Sequence, residues 1–402
     1  MVSKFLLIFF LARFLEPAEL GLYGLLVAAI SYSLYLLGLD FYTYSTREIL
    51  KRDRGEWGWL LKNQGALTLI LYLVFIPFLL LIFIAETLPW YLAAWFFVLL
   101  ILEHFNQELM RLLIAISDQL MASVVLFLRS GAWAVVVVLL MFLQPELRTL
   151  QAILLAWTLG GLLAVLLAVW RLSRLSISGW RSKVDWRWIR QGIKIAAPLL
   201  VATLAVRALY TLDRYWLDAL AGLEVLGAYV LFMGIANAML SFLDAGVFAF
   251  SYPKLITTYQ QANSAEFRRE LKRLLVQTLV LSSMFVGVAL LLIAPLLHWL
   301  GKPLYLEQKA MFPWVLLGAF LYALGMVPHY GLYAQNRDRP IIQSHIASLV
   351  VFVSATWLFS KTWPQLAVPL GLCVAFVSIA LWKSYAFFRL TPAQYYSPQL
   401  ER

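Results

Sequence analysis

Apolar residues run through this chain in stretches of about twenty, broken by short clusters of charge, proline and glycine. At 1.5 Å of rise per residue, a helix of that length crosses the ~30 Å hydrocarbon layer of a membrane. Twelve runs are predicted as such helices, near 1–15, 20–40, 64–85, 89–108, 121–143, 149–170, 192–217, 224–250, 272–297, 309–333, 341–360 and 364–388. The first, Met1 to Phe14, is short for a span and would rely on Lys4 and Arg13 snorkelling to the two interfaces. A signal segment and an upstream start are its alternatives. No small-residue cleavage site follows the apolar stretch, which argues against the first of these.

Composition agrees with lipid as the solvent. Of 402 residues, 63% are apolar and 13% charged, against ~45–50% and ~25% in a soluble domain. A water-soluble fold of this make-up would expose apolar patches that soluble monomers avoid, and disordered chains are polar and poor in aromatics. The 16 Trp and 19 Tyr suit a chain anchored at two lipid–water interfaces. One cysteine, Cys373, permits neither a disulfide framework nor a thiolate metal cluster.

The net charge of +11 raises the question of nucleic acid, and its distribution answers it. With the N-terminus inside, the inner loops and C-terminal end hold twenty-one Lys and Arg, including Lys383, Arg389 and Arg402, against five on the outer side. That asymmetry orients the chain with both termini in the cytoplasm and lets its basic loops meet anionic headgroups. No nucleic-acid partner is needed to explain it. The longest inner segment, 171–191, mixes basic residues with Trp180, Trp186 and Trp188 and reads as an interfacial linker. It joins an N-terminal six-helix lobe, 1–170, to a C-terminal one, 192–402. The expected fold is therefore an all-α integral membrane protein of about twelve transmembrane helices.

The two halves echo each other. Arg13, Glu19, Gly21 and Tyr23, then Gly38 and Asp40, are matched by Arg214, Glu224, Gly227 and Tyr229, then Asp244 and Gly246. A second echo sets Ser117-Asp118 beside Asn336-Arg337-Asp338. Members of each pair fall on the same membrane side, as in parallel repeats about an axis along the membrane normal.

Ionisable groups inside spans mark sites, because each costs ~2.5–3.5 kcal/mol at a helix centre. Arg207 and Arg214 share one face of the seventh run with Thr203, Thr211 and Asp218, and Arg129 lies deep in the fifth. No acid lies within one turn of Arg129 or Arg207, so both are expected to face a water-filled cavity and select an anion, for which the guanidinium fork is suited. Asp213, beside Arg214, is expected to pair locally. Glu103, Glu108 and Arg111, with His104 and Gln107, mark a polar face on the fourth run. The four His have no metal-ligand spacing, and no nucleophile elbow, zincin or phosphate-loop motif occurs.

Ala12-Arg13-Phe14-Leu15-Glu16-Pro17-Ala18-Glu19-Leu20-Gly21-Leu22-Tyr23, with Thr46-Arg47-Glu48-Ile49, resembles the opening of the polysaccharide (O-antigen, Wzx-type) flippases. Leu212-Asp213-Arg214-Tyr215-Trp216-Leu217, Glu224 to Tyr229 and Tyr252-Pro253 carry the same resemblance. These proteins belong to the multidrug/oligosaccharidyl-lipid/polysaccharide exporter superfamily. The resemblance implies two six-helix lobes around a central cavity, and a polyprenyl-pyrophosphate-linked oligosaccharide moved across the cytoplasmic membrane for lipopolysaccharide or envelope polysaccharide assembly. Its partners would be membrane lipids and a glycan polymerase or assembly protein. On this expectation Arg129, Arg207 and Arg214 hold the pyrophosphate, and Tyr210, Tyr322 and Tyr333 contact sugars. No cofactor is needed beyond coupling to a proton or sodium gradient, for which Asp40, Glu103 and Asp244 are the candidates. A drug or metabolite antiporter is the alternative. A membrane polymerase ranks lower, since no large outer loop is available to carry catalytic residues.

Overall fold

A computed structural model describes residues 2–396, and the side chains of residues 5–396 except Leu199. The Lys4 side chain and Arg402 of the charge reading lie outside the described residues. In chain order the helices are α1 Val2–Phe14, α2 Pro17–Gly38, α3 Tyr42–Ile49, α4 Arg54–Leu79, α5 Leu81–Ile84, α6 Ala93–Ala115, α7 Gln119–Phe127, α8 Trp133–Leu143 and α9 Leu150–Ser173. They continue as α10 Trp186–Ala221, α11 Leu223–Leu243, α12 Ala249–Gln260, α13 Ser264–Leu300, α14 Pro303–Glu307, α15 Phe312–Tyr333, α16 Asp338–Ser360 and α17 Ala367–Leu390. Each of the twelve apolar runs coincides with one or two of these helices. Among the described residues nine helices are long and apolar enough to cross a membrane, and ten if the bent pair Trp186–Pro198 and Leu200–Ala221 is one span. Helix α6 stands outside that set, its second half carrying Glu103, His104, Asn106, Gln107 and Glu108. The chain is a multi-pass membrane protein.

Side-chain caps mark some helix starts. The Asp118, Thr149 and Asn263 side chains accept from the backbone N–H groups of Met121, Ala152 and Glu266, at 3.4, 3.3 and 3.0 Å, so each caps the helix that follows it, α7, α9 or α13. Two breaks were not foreseen. Between α7 and α8 the chain widens into π geometry at Leu128–Ala132, and between α11 and α12 at Asp244–Phe248. Each such turn carries one in-span charge, Arg129 or Asp244, and π-turns of this kind are frequent at functional sites.

The chain forms two compact units, Met1–Leu15 with Leu22–Arg207, and Glu16–Gly21 with Ala208–Arg402. In the first, α9 is central and packs on α6, α7 and α8, where Leu113, Val125, Ala164 and Ala168 are buried. Residues of the segment 171–191 lie in this unit because α4 holds them. Gly58 N–H donates to the Ser178 carbonyl at 2.8 Å, Lys62 Nζ to the Trp180 carbonyl at 3.2 Å, and Asp185 N–H to Asn63 Oδ1 at 2.6 Å. Trp188 then packs on Phe41 and Tyr44.

In the second unit α17 is the centre, flanked by α15 and α16. Glu16 reaches Lys302 at 2.7 Å, which places the start of α2 here. At that point the two glycines of the sequence echo meet. A Cβ on Gly21 would run into the Leu223 carbonyl, and one on Gly227 into the Pro17 carbonyl. Small residues at helix crossings are how helices pack in lipid, where no hydrophobic force draws them together.

Candidate functional site

The first unit encloses a cavity of about 810 Å³ bounded by α3, α4, α6 and the end of α9. Its polar wall is the face of α6 on which His104, Glu108 and Arg111 recur at helical spacing. Glu108 is held from both sides, by Gln64 Nε2 and by Arg111 Nη1, each at 2.6 Å. The Arg111 guanidinium lies 3.5 Å from the centre of the Tyr42 ring. Tyr72 hydroxyl and His104 Nδ1 are hydrogen-bonded at 2.7 Å. Burial pushes the Tyr42 phenol up, with Asp40 and Glu108 adding to the shift and Arg111 opposing it. Asp40 itself is buried at the turn after α2, where its backbone takes a φ of 50°. Apolar residues complete the lining, among them Leu60, Leu69, Leu112, Leu172 and Trp180. Because Glu108 and Arg111 cancel, the polar wall offers hydrogen bonds and aromatic faces without net charge.

Glu103, one turn before the cavity's ion pair, meets a different partner. Arg129 Nε donates to Glu103 Oε2 at 2.6 Å, and its Nη2 makes a second contact with the same oxygen. Trp157 Nε1 donates to Glu103 Oε1 at 2.7 Å, and Trp133 Nε1 to the Arg129 carbonyl at 2.9 Å. The two indoles stack 5.9 Å apart. Arg129 is therefore not the cation without an acid in reach that the sequence suggested. Its acid lies 26 residues away on α6, and neither residue lines the cavity. An uncompensated charge at that depth would cost far more than the pair does.

The remaining expected residues are dispersed. Arg207 is exposed, its guanidinium 5.0 Å from the centre of the Tyr35 ring. Asp213 is buried and accepts from the Tyr229 hydroxyl and from the Arg214 N–H, both at 2.7 Å. Tyr210 and Tyr322 come together with Phe376, ring centres 5.3–6.1 Å apart. Tyr333 is apart from them, stacked on His329. Asp244 is exposed in its π-turn and, among the described residues, forms no ion pair.

One group was misplaced by the sequence reading. Lys383 had been counted with the inner-end charges, yet it is 1% exposed inside the second unit. Its Nζ lies 3.2 Å from Nδ1 of His329, whose ring stacks on His345 at 6.3 Å. The signal was present in the sequence, since Lys383 falls inside the run 364–388 rather than beyond it.

A family model described as polysaccharide biosynthesis protein matches residues 1–258. None of the curated proteins matches the sequence. Among solved structures, an inward-facing multidrug resistance MATE family transporter of the MOP superfamily superposes with a TM-score of 0.80 at 14% identity, over 97% of this chain and 95% of the other. An outward-facing MATE family transporter gives 0.59 at 15% identity, over 96% and 92%. A MOP superfamily transporter from Pyrococcus furiosus, described as having a binding pocket of reverse polarity, gives 0.60 at 14%, over 98% and 92%. At these identities the likeness is one of fold, the two-lobed helical fold of that superfamily.

Proposed function

We propose, for a chain that belongs to the polysaccharide biosynthesis protein family, that it is a transporter which flips polyprenyl-pyrophosphate-linked oligosaccharide units across the cytoplasmic membrane by alternating access. The family match carries this reading, and the fold of a transporter superfamily supports it. In this proposal Arg207 and Arg214, both on α10, are the candidate cations for the pyrophosphate, since a guanidinium binds phosphate through charge-assisted, bidentate hydrogen bonds. Arg129 is not among the ligands, because Glu103 already occupies its fork; its part is to position α6 against the turn before α8. The aromatic cluster of Tyr210 and Tyr322, and the net-neutral polar wall at His104, Glu108 and Arg111, offer the ring faces and hydrogen bonds that sugars take. Asp244, an exposed acid inside a span, is the retained carboxylate candidate for ion coupling.

The test is flipping of a short-chain polyprenyl-pyrophosphate oligosaccharide in proteoliposomes. Wild-type protein is expected to move it, and Arg207→Glu to lose at least about tenfold in rate, the equivalent of ~1.4 kcal/mol of headgroup binding. An unchanged rate in Arg207→Glu would remove that residue from the site. A wild type that leaves the glycolipid in place but expels organic cations under a proton or sodium gradient would favour the antiporter reading instead.

A further inference from the structure

Lys383, His329 and His345 bring three basic side chains together from three helices of the second unit, α17, α15 and α16. Lys383 is sealed from the surroundings, and among the described residues no carboxylate lies within ion-pairing distance of its ammonium. That is the opposite of how buried cations are usually kept, since they are rare unless paired. Among the described residues its hydrogen-bonding neighbour is an imidazole nitrogen, 3.2 Å from Nζ.

Such an arrangement can hold one positive charge and not two. At 3.2 Å in a poorly polarisable surrounding, a protonated lysine and a protonated histidine repel too strongly to coexist. With one proton present, the amine and the ring share it across the hydrogen bond. Without it, both groups are neutral and the buried charge is gone. The other ionisable groups facing this cluster do not fix its charge. From α15 they are Tyr330, edge-on to His329 at 5.4 Å, and Tyr333, stacked on it at 6.3 Å. From α16, among the described residues, the group in contact is His345, stacked on His329 at 6.3 Å. On α17 itself Tyr385 and Arg389 are exposed near the helix end and face each other. Asp244 acts on Tyr330, which lies edge-on to His329.

A path leads out of the cluster. His345 is partly exposed and Tyr333 is 46% exposed at the end of α15, the inner end in the orientation that the Lys and Arg count predicts. We propose that Lys383, His329 and His345 form a proton-binding site that takes up and releases one proton in each transport cycle, making the proton the coupling ion. The proton comes from water and returns to it, so no other bond forms or breaks. The proposal rests on reading the chain as a transporter, but its test needs no glycolipid.

The experiment is a pH step applied to proteoliposomes on a solid-supported membrane in the absence of any organic substrate. The wild type should give a transient charge displacement as protons bind. Lys383→Met should abolish it, His329→Gln should abolish it or shift its pH dependence, and Lys361→Met, at the exposed far end of α16, should leave it intact. Thermal unfolding separates a proton site from a merely structural lysine. Removing an uncompensated buried amine should raise the unfolding temperature of Lys383→Met, whereas loss of a structural anchor would lower it. If Lys383→Met does not fold, His329→Gln and His345→Gln carry the same test. No displacement in the wild type, or an undiminished one in Lys383→Met and His329→Gln, overturns the proposal. Neither result bears on glycolipid flipping, which is measured separately.

Discussion

The two units treat buried charge in opposite ways. In the first, each cation on the polar side of α6 has an acid. Arg129 sits on Glu103 with an indole N–H completing the carboxylate, and Arg111 sits on Glu108 with Gln64 doing the same. In the second, a fully buried ammonium has, among the described residues, an imidazole as its hydrogen-bonding partner. An ion pair enclosed by hydrogen bonds is insensitive to protons over the ordinary range, because neither partner can lose its charge without stranding the other. An ammonium beside an imidazole can be discharged by removing one proton. The first unit is therefore built to keep its electrostatics constant, and the second to let them change.

Breaking the constant side should be the most damaging experiment. Glu103→Gln leaves the mostly covered Arg129 against a neutral amide and should cost about 3–5 kcal/mol. Thermal unfolding in detergent measures it, and the double variant Glu103→Met with Arg129→Met should recover most of the loss. A double variant as unstable as the single one would show that shape rather than charge is what the pair supplies. Next comes Trp157→Phe, which removes one charge-assisted hydrogen bond from Glu103 and should cost about 1.5–3 kcal/mol. In the second unit the sign reverses, and Lys383→Met should stabilise the fold by roughly 1–3 kcal/mol. The smallest effect belongs to Arg111→Gln. Both Arg111 and Glu108 keep about a fifth of their side-chain surface, and Gln64 still satisfies the acid, so stability should move by only about 0–1 kcal/mol. A large loss there would mean that the cavity wall is as rigid as the Glu103 pair, and would erase the contrast within α6.

Much of the helical layout was legible because lipid imposes one dominant rule, that backbone polar groups be satisfied within each segment. Long apolar runs such as 272–297 leave little freedom, and α13 covers that run with about two turns to spare before it and just under one after it. Pairing across helices was not legible. Glu103 and Arg129 are both conspicuous in the sequence, yet nothing local says that α6 and the turn before α8 lie side by side. The π-turns were invisible for a similar reason, since one extra residue in a helical turn leaves the apolar pattern nearly unchanged. Lys383 was misread because a charge near the end of an apolar run looks the same in sequence whether it snorkels outward or turns into the bundle. The aromatic candidates were half recovered, with Tyr210 and Tyr322 in one cluster and Tyr333 in another.

The crossing of Gly21 and Gly227 carries a consequence for descent. Each glycine faces the carbonyl of the residue four places before the other, Leu223 in one case and Pro17 in the other. A contact that maps onto itself when its two sides are exchanged is the signature of a two-fold axis between identical chains. In a half-length ancestor acting as a homodimer, one glycine codon would have served both sides of that crossing. In a single fused chain such a crossing depends on two codons, each free to drift and each able alone to spoil it.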